Sequence, residues 1–406
     1  MKKPPPLLRL HITPTADWKL RSGHPWLYSD SIQKQNRTGT TGELAVLYDR
    51  HDNFLAVGLY DALSPLRVRV LHRGKPELLD GRWWRKHFLD VVQLRDGMFG
   101  LETNGFRYIN GESEGWPGLV LDRYGSTLVL KLYSAIWFPR LQEVRELISS
   151  ELKPERLVLR LSRNIQEMAQ KHFALAEGQI LSGPAVDGAV QFLENGLRFE
   201  ADVIRGQKTG FFLDQRENRK MVSDLAKGRR VLNCFSFSGG FSLYAARSGA
   251  ISTTDLDISA HALESARRNF ALNKDVPEVG KCVHELVKAD TFEWLGFNRE
   301  RQFGLMVLDP PSLAKREHDR AGAVQAYERL ATNGIARLAP GGVLVASSCS
   351  AHVTTADFYE AVRGAAKKSG RRIEEIKTSG HPPDHPANFP EAHYLKTIYL
   401  RFEPGL

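Results

Sequence analysis

Residues 231–257, VLNCFSFSGGFSLYAARSGAISTTDLD, contain the pattern that decides the fold of this chain. A short strand pattern, Val231–Asn233, leads into a tight turn at Gly239-Gly240, and a helical pattern follows over Phe241–Arg247. A second strand pattern then ends on Asp257. Strand, glycine turn, helix, strand and acid are typical of a nucleotide-binding βαβ unit. Because glycines let the backbone approach a ligand and a terminal acid accepts from both ribose hydroxyls, the stretch predicts an adenosine-containing cofactor.

Length and composition set the frame for this unit. A chain of 406 residues is expected to hold two or three domains, and 42% hydrophobic with 25% charged residues excludes global disorder. The formal net charge of +9 is compatible with a polyanionic partner such as nucleic acid. Many basic proteins bind no nucleic acid, so the charge by itself leaves the partner open.

The three cysteines, Cys234, Cys282 and Cys349, are scattered and form no CxxC pair. This spacing argues against a disulfide framework and a zinc site, and it indicates a reducing compartment. The chain has no apolar run of about 18 residues, and its first ten residues contain no apolar signal segment. We therefore expect a soluble cytoplasmic protein with no metal and no membrane span.

The first predicted domain, residues 1–73, is rich in short alternating runs such as LRVRV. The alternation predicts five or six strands. With its turn Gly23-His24-Pro25-Trp26, this region resembles PUA domains, small pseudo-barrels that bind structured RNA. Arg67 and Arg69 are candidate RNA contacts, although the same alternation is explained by one polar strand face.

A central α+β domain is predicted over residues 74–185. It contains an amphipathic helix in GRWWRKHFLDVVQLRDGMFG, two strands around a turn in FRYINGESEGWPGLVLDRYGSTLVLKLYS, and a helix near 138–152. The third domain, residues 186–406, begins with a β-hairpin whose turn is Glu194-Asn195-Gly196.

From residue 231 onward, strands and helices alternate, which predicts an open, mostly parallel α/β sheet with one antiparallel strand near the C-terminus. The expected strands lie near 231–235, 251–257, 283–288, 304–309, 342–347, 372–377 and 394–402.

The segment 207–216, QKTGFFLDQR, directly precedes the βαβ unit. Its density of polar and aromatic groups predicts a loop over the mouth of the cofactor site. The alternative is an ordinary connector in which Asp214 caps the next helix. Lys208 and Asp214 are the candidates for contacts to target or cofactor.

Ligands of such sheets bind beyond the carboxyl ends of the strands, so polar residues at those ends are the candidate site. They are Asn233, Ser236 and Gly239 after the first strand, Asp257 after the second, Asp290 after the third, Asp309-Pro310-Pro311-Ser312 after the fourth and Ser348-Cys349-Ser350 after the fifth.

This order of acids and prolines resembles the Rossmann-like class I S-adenosylmethionine-dependent methyltransferases over residues 190–406. The resemblance implies that Asp257 accepts from the ribose and Asp290 from the adenine amino group. It also implies that residues 233–239, including Phe235 and Ser236, surround the methionine part, and that residues 309–312 face the methyl group and target base. Phe237 stands where the family has glycine, which argues against a dinucleotide-binding oxidoreductase. Asn233 stands where the family has an acid, which leaves the cofactor contacts at that position open.

Cys349 indicates the reaction. Carbon 5 of cytosine becomes nucleophilic once a thiolate has added to carbon 6, and cysteine is suited to that addition. A free cysteine is more often a small buried apolar residue, but this one follows the catalytic edge of the sheet. Asp309 is expected to bind the ring edge, whereas Cys234 and Cys282 are expected to be structural.

The chain resembles the RlmI family of bacterial large-subunit rRNA cytosine-5 methyltransferases in GHPW, NGESEGWPG, QKTGFFLDQR, LNCFSFSGGF, LDPPS, SSCS and the tail Asp384-His385-Pro386 with Tyr394-Leu395-Lys396. Related enzymes carry a second cysteine after the two prolines; Ser312 stands there, as in single-cysteine members. An rRNA guanine N-methyltransferase and a non-catalytic RNA-binding or assembly factor are the alternatives. The base that removes the carbon 5 proton and the formation of a homodimer stay open.

Overall fold

The computed structural model describes residues 6–298 and 300–403, so residues 1–5 of the N-terminal stretch lie outside it. The chain forms two compact units. The first unit contains the N-terminal half, together with Ala201–Leu213 and Asp384–Phe389. The second contains Gly196–Glu200, Asp214–Pro383 and the C-terminal strand.

Within residues 6–73, the first unit begins with a β-rich region of six strands and one α-helix. The strands are β1 Leu8–Ile12, β2 Trp26–Tyr28, β3 Ile32–Gln35, β4 Leu44–Tyr48, β5 Phe54–Tyr60 and β6 Leu66–Arg73, and they form one sheet in the order β2-β6-β5-β4-β1-β3. The helix, α1 (Pro14–Arg21), was not predicted. Thr13 caps it and Pro14 occupies its first turn, but only Ala16 and Leu20 are buried, which is too few for a visible helical period.

A second sheet of the first unit has the order β11-β10-β9-β8-β7. Its elements are α2 Gly81–Gln93, β7 Gly105–Asn110, β8 Leu119–Tyr124, β9 Thr127–Leu132, α3 Leu141–Leu152, β10 Arg156–Leu161, α4 Arg163–Phe173 and β11 Ile180–Ser182. Residues 105–132 form three strands, not the predicted two. The missed break is the two-residue turn at Gly125-Ser126, where Gly125 has φ +62°.

The chain leaves the first unit through a tight turn. This turn follows β12 (Val190–Glu194) and precedes β13 (Leu197–Ala201). Asn195 and Gly196 have φ +49° and +81°, the left-handed conformation that Asn-Gly turns adopt. The turn chemistry read from the sequence is therefore present at this point.

The second unit is built on a seven-stranded sheet in the order β16-β15-β14-β17-β18-β20-β19. Neighbouring strands pair in parallel, except that β20 is antiparallel to both β18 and β19. This confirms the expected open α/β sheet. The strands are β14 Arg230–Cys234, β15 Ser252–Asp257, β16 Val283–Lys288, β17 Phe303–Leu308, β18 Leu338–Ser348, β19 Ile373–Ser379 and β20 Lys396–Phe402. The helices are α5 Arg216–Ala226, α6 Gly240–Arg247, α7 Ala260–Leu272, α8 Pro277–Lys281, α9 Thr291–Phe297, α10 Arg320–Ile335 and α11 Thr355–Lys368.

Continuous apolar runs place the central strands between two cores. Val231 and Val307 lie in a core with helices α5 and α6, whereas Leu232 and Leu308 lie in a core with α10 and α11. Burial on both faces is what a parallel sheet requires.

The strand order reverses at β14, because the chain moves outward to β16 and returns to β17 on the other side of β14. Such a reversal opens a crevice beyond the carboxyl ends of the strands. Cys234 of β14 is in register with Leu256 of β15 and Leu308 of β17, so the residues after these strands emerge at one edge.

Candidate active site

The loop after β14 has a strained backbone. Phe235 and Phe237 have φ +57° and +48°, and Gly239 has φ +73°. Left-handed backbone is uncommon for bulky residues and clusters at functional sites. A Cβ at Gly239 would lie 2.7 Å from Asp255 Oδ2 and 2.8 Å from Ala266 Cβ, so the close approach requires glycine.

Asp257 is fixed by the backbone of two loops. Its Oδ2 accepts from Phe237 N at 2.9 Å, and its Oδ1 accepts from Ser259 N at 2.8 Å. Each carboxylate oxygen can accept a second hydrogen bond. The carboxylate is therefore oriented and still able to accept from the two hydroxyls of a ribose.

Asn233 takes part in a buried network that sequence reasoning missed. Its Nδ2 donates to Asp255 Oδ1 at 2.9 Å, and the same oxygen accepts from Ser242 Oγ at 2.6 Å. His284 Nε2 lies 2.8 Å from Asp255 Oδ2. The register that pairs Asn233 with Asp255 brings these residues together, so Asp255 fixes the start of the loop that ends at Gly239.

Two buried polar atoms of this loop are in a position to bind a cofactor. Asn233 Oδ1 and Ser236 Oγ are buried and have no hydrogen-bond partner within the described residues. Buried polar atoms are rarely left unpaired, so these two are suited to a polar ligand. Both atoms fit the polar methionine part of S-adenosylmethionine.

Asp290 is the N-cap of α9. Its Oδ1 accepts from Glu293 N at 3.1 Å, and the residue is partly exposed, two positions beyond β16. Because β16 is the neighbour of β15, Asp290 and Asp257 follow adjacent strands. The cap role and a contact to adenine are compatible, since a carboxylate has two oxygens.

Asp309 is oriented by side chains of α5 and the turn before it. Gln215 Nε2 donates to Asp309 Oδ2 at 3.0 Å, and Asn218 Nδ2 donates to Gln215 Oε1 at 2.5 Å. Asn218 Oδ1 in turn accepts from Tyr399 Oη at 2.8 Å and from Ser379 Oγ at 2.7 Å. We call Gln215 and Asn218 the amide relay; its only sequence signal is an amide pair spaced one helical turn apart on a buried face.

Cys349 lies next to the first of the two prolines. Its Sγ is 3.8 Å from the carbonyl oxygen of Pro310, and the side chain is partly buried. In contrast, Cys234 is fully buried within β14, where burial raises the pKa of its thiol. Cys282 lies between α8 and β16, away from the crevice edge. Cys234 thus lies inside a strand, Cys282 at a helix-to-strand junction and Cys349 directly after β18.

Ser350 connects the loop of Cys349 to the loop of Asp309. Its Oγ accepts from Leu313 N at 3.1 Å and from Ala314 N at 3.3 Å, and it lies 3.0 Å from Ser312 Oγ. Ser348 Oγ donates to Tyr327 Oη at 2.9 Å. Ser312 thus has a structural partner, and the two loops hold each other in place.

The remaining candidates have partners within their own units. Asp214 Oδ2 accepts from Tyr394 Oη at 2.8 Å in the second unit. In the first unit, Lys208 Nζ lies 4.6 Å from the ring centroid of Phe212. Also in the first unit, Arg67 donates to the carbonyl oxygen of Asp61 at 2.8 Å. Arg69 forms an ion pair with the carboxylate of Glu112.

Neither a membrane-spanning helix nor a metal-binding cluster occurs within residues 6–298 and 300–403. Within them, no helix has the length and apolar character needed to cross a membrane. The same residues contain no group of three or more His, Cys, Asp or Glu side chains arranged to hold a metal ion.

Two protein families match the chain. Residues 158–401 match the family model of S-adenosylmethionine-dependent methyltransferases, and residues 10–73 match that of PUA-like domains. The chain is 54% identical over 405 residues to a ribosomal RNA large subunit methyltransferase of Deinococcus radiodurans, covering 98% of each chain. It is 33% identical over 401 residues to the ribosomal RNA large subunit methyltransferase I of Photobacterium profundum, covering 95% of this chain and 97% of the relative.

Solved structures share the fold. A structure from Streptococcus mutans, classed as a SAM-dependent methyltransferase, superposes with a TM-score of 0.81 at 22% identity, covering 97% of this chain and 100% of the other. A second structure, classed as a methyltransferase and solved in complex with SAH, gives a TM-score of 0.82 at 22% identity with the same coverage. At this identity the likeness shows the architecture alone.

Proposed function

The chain belongs to the family of S-adenosylmethionine-dependent methyltransferases, together with the large-subunit ribosomal RNA methyltransferases I, and on that premise we propose that it methylates carbon 5 of a cytosine in large-subunit ribosomal RNA. The relatives' names support the RNA, since the alignments span nearly the whole chain. The PUA-like match and the net charge of +9 are consistent with a polyanionic substrate. The single observation that carries the choice of cytosine carbon 5 is the thiol of Cys349, 3.8 Å from the carbonyl of Pro310.

The cofactor is proposed to lie at the carboxyl ends of β14 to β16. Asp257 would accept from the ribose and Asp290 from the adenine amino group, while Asn233, Phe235, Ser236 and Gly239 would surround the methionine part. Asp214 and Pro310 are proposed to complete this binding site. When bound, S-adenosylmethionine supplies an electrophilic methyl group.

Replacing Asp257 with alanine is expected to weaken S-adenosylmethionine binding about 100-fold, because two charge-assisted hydrogen bonds of about 1.5 kcal/mol each are lost. Isothermal titration calorimetry with the purified variant measures the change. Asp275→Asn is the matched control, since Asp275 pairs with Arg198 at an exposed position. Unchanged affinity in Asp257→Ala would remove Asp257 from the cofactor site.

The thiolate of Cys349 is proposed to add to carbon 6 of the target cytosine, which forms a C–S bond and moves electron density to carbon 5. Carbon 5 would then take the methyl group, forming a C–C bond while the S–CH3 bond of the cofactor breaks and S-adenosylhomocysteine leaves. A base removes the proton from carbon 5, and breaking the C–S bond releases the thiolate and restores the aromatic ring. A base stacked in folded RNA is out of reach, so the target nucleotide must be splayed out of its stack first.

Asp309 is proposed to bind the polar edge of the cytosine and to stabilise the adduct, with Pro311 and Ser312 beside the base. The two prolines fix φ and carry no N–H, which keeps the loop rigid. Lys208, Arg67 and Arg69 are proposed as RNA contacts. To bind a phosphate, Arg67 would have to give up its carbonyl contact and Arg69 its ion pair with Glu112.

The test is methyl transfer from methyl-labelled S-adenosylmethionine to large-subunit rRNA that lacks the modification. After digestion to nucleosides, mass spectrometry should detect labelled 5-methylcytidine. Labelled methylguanosine would replace the proposal with the guanine N-methyltransferase alternative. RNA binding without any cofactor binding in calorimetry would favour the assembly factor.

A further inference from the structure

Lys396 is a buried cation next to the loop that carries Cys349. It begins β20, where it is in register with Ser348 of β18. Only 3% of the residue is exposed, and its Nζ donates to the carbonyl oxygens of Ser350 and Val353, each at 2.6 Å. One ammonium group therefore holds both ends of the turn that follows the thiol.

The ammonium of Lys396 has no carboxylate partner within ion-pair distance among the described residues. Two groups act on it through their charge, Cys349 and Asp357. The carboxylate of Asp357 is already bound by Arg320, at 2.6 Å and 2.9 Å. A buried cation is costly unless an anion compensates it, and a thiolate at Cys349 would supply that anion.

We infer that Lys396 is a positioning residue for Cys349, which fixes the loop of the thiol through two carbonyls and favours the thiolate through its positive charge. This inference rests on the proposed function, because a thiolate is the species that adds to cytosine. It gives a role to Lys396 that the strand-end pattern did not indicate, since the residue lies at the amino end of an antiparallel strand.

Other charged and titratable groups surround the pair. Asp309 and Cys349 both act on Tyr327 through their charge, and burial raises the pKa of Tyr327, so that side chain stays neutral. The negative charge of Asp309 disfavours a second negative charge in the crevice, such as a thiolate at Cys349. His352, on the same turn as Cys349, lies 3.4 Å from Glu317. Against that opposition, the positive charge of Lys396 acts in favour of the thiolate.

Burial lowers the pKa of Lys396 to about 8. Lys396 is therefore charged at neutral pH and loses its charge as the pH rises through about 8. Its effect on Cys349 should be largest near pH 7 and should fade above about pH 9, where thiols ionise unaided.

The test is alkylation of Cys349 by iodoacetamide across pH, followed by peptide mass spectrometry, which separates Cys349 from Cys234 and Cys282. Lys396→Gln is expected to lower the rate at about pH 7 roughly tenfold and to leave the rate at about pH 10 unchanged. Lys396→Arg, which keeps the charge, should restore most of the rate. Lys377→Gln, at an exposed position of β19, is the matched control.

A Lys396→Gln protein that reacts as fast as the parent at about pH 7 would overturn the inference. So would a folded Lys396→Arg protein as slow as Lys396→Gln. If neither variant folds, the parent protein decides: Cys349 should reach half its maximal rate at a lower pH than N-acetylcysteine amide measured in parallel, and an equal or higher pH overturns the inference. These assays contain no RNA, so a failure of the cytosine-5 assignment would appear separately, as methylguanosine in the nucleoside assay.

Discussion

Replacing Cys349 with alanine is expected to lower methyl transfer to rRNA by at least about 10³-fold, while S-adenosylmethionine binds with unchanged affinity. Without the thiol, carbon 5 of cytosine stays part of an aromatic ring and does not attack the methyl group. Transfer of labelled methyl groups and calorimetry measure the two properties on the same preparation. Cys282→Ser is the control, because Cys282 lies away from the crevice and should keep full activity.

A second assay isolates the covalent step. RNA that carries 5-fluorocytidine at the target has no proton to lose from carbon 5, so the methylated adduct should persist as a protein–RNA complex under denaturing conditions. The complex should require Cys349 and form in Cys282→Ser. Full methyl transfer by Cys349→Ala would exclude the covalent mechanism, whatever the nucleotide product.

The convergence of Asp257, Asp309 and Cys349 at one edge of the sheet could be predicted from the sequence. Asp309 and Cys349 follow apolar strand patterns, Asp257 ends the strand after the glycine turn and helix, and parallel strands in register deliver their carboxyl ends to the same edge. The prediction needed only local patterns and one topological rule. Because local patterns encode the strands, the bounds of the strands in the second unit agree within a few residues with those predicted from the sequence.

The groups that orient these residues could not be predicted in the same way. Asn218 contacts Tyr399 and Ser379, which lie 181 and 161 residues away along the chain, and no local pattern encodes such pairs. The left-handed backbone at Phe235 and Phe237 could not be predicted either, because glycine is the residue type that usually adopts this conformation. The surrounding fold determines that conformation.

Replacing Asp309 with asparagine is expected to lower methyl transfer about 10²- to 10⁴-fold at saturating cofactor, since the change removes a charge that hydrogen-bonds the base while keeping the shape of the side chain. Single-turnover assays, with cofactor affinity measured separately, distinguish this loss from weaker binding. Wild-type rates in Asp309→Asn would show that the carboxylate does not act on the base.

The amide relay makes this prediction sharper. Gln215 reaches the reaction only through its 3.0 Å hydrogen bond to Asp309 Oδ2, so Gln215→Ala should cost less, about tenfold. The double variant should then be no slower than Asp309→Asn alone, because a positioning residue has nothing left to position once the charge is gone. Additive losses would mean that Gln215 contacts the base or the cofactor itself. The cycle thus separates a carboxylate that acts on cytosine from a carboxylate that only holds Gln215 in place.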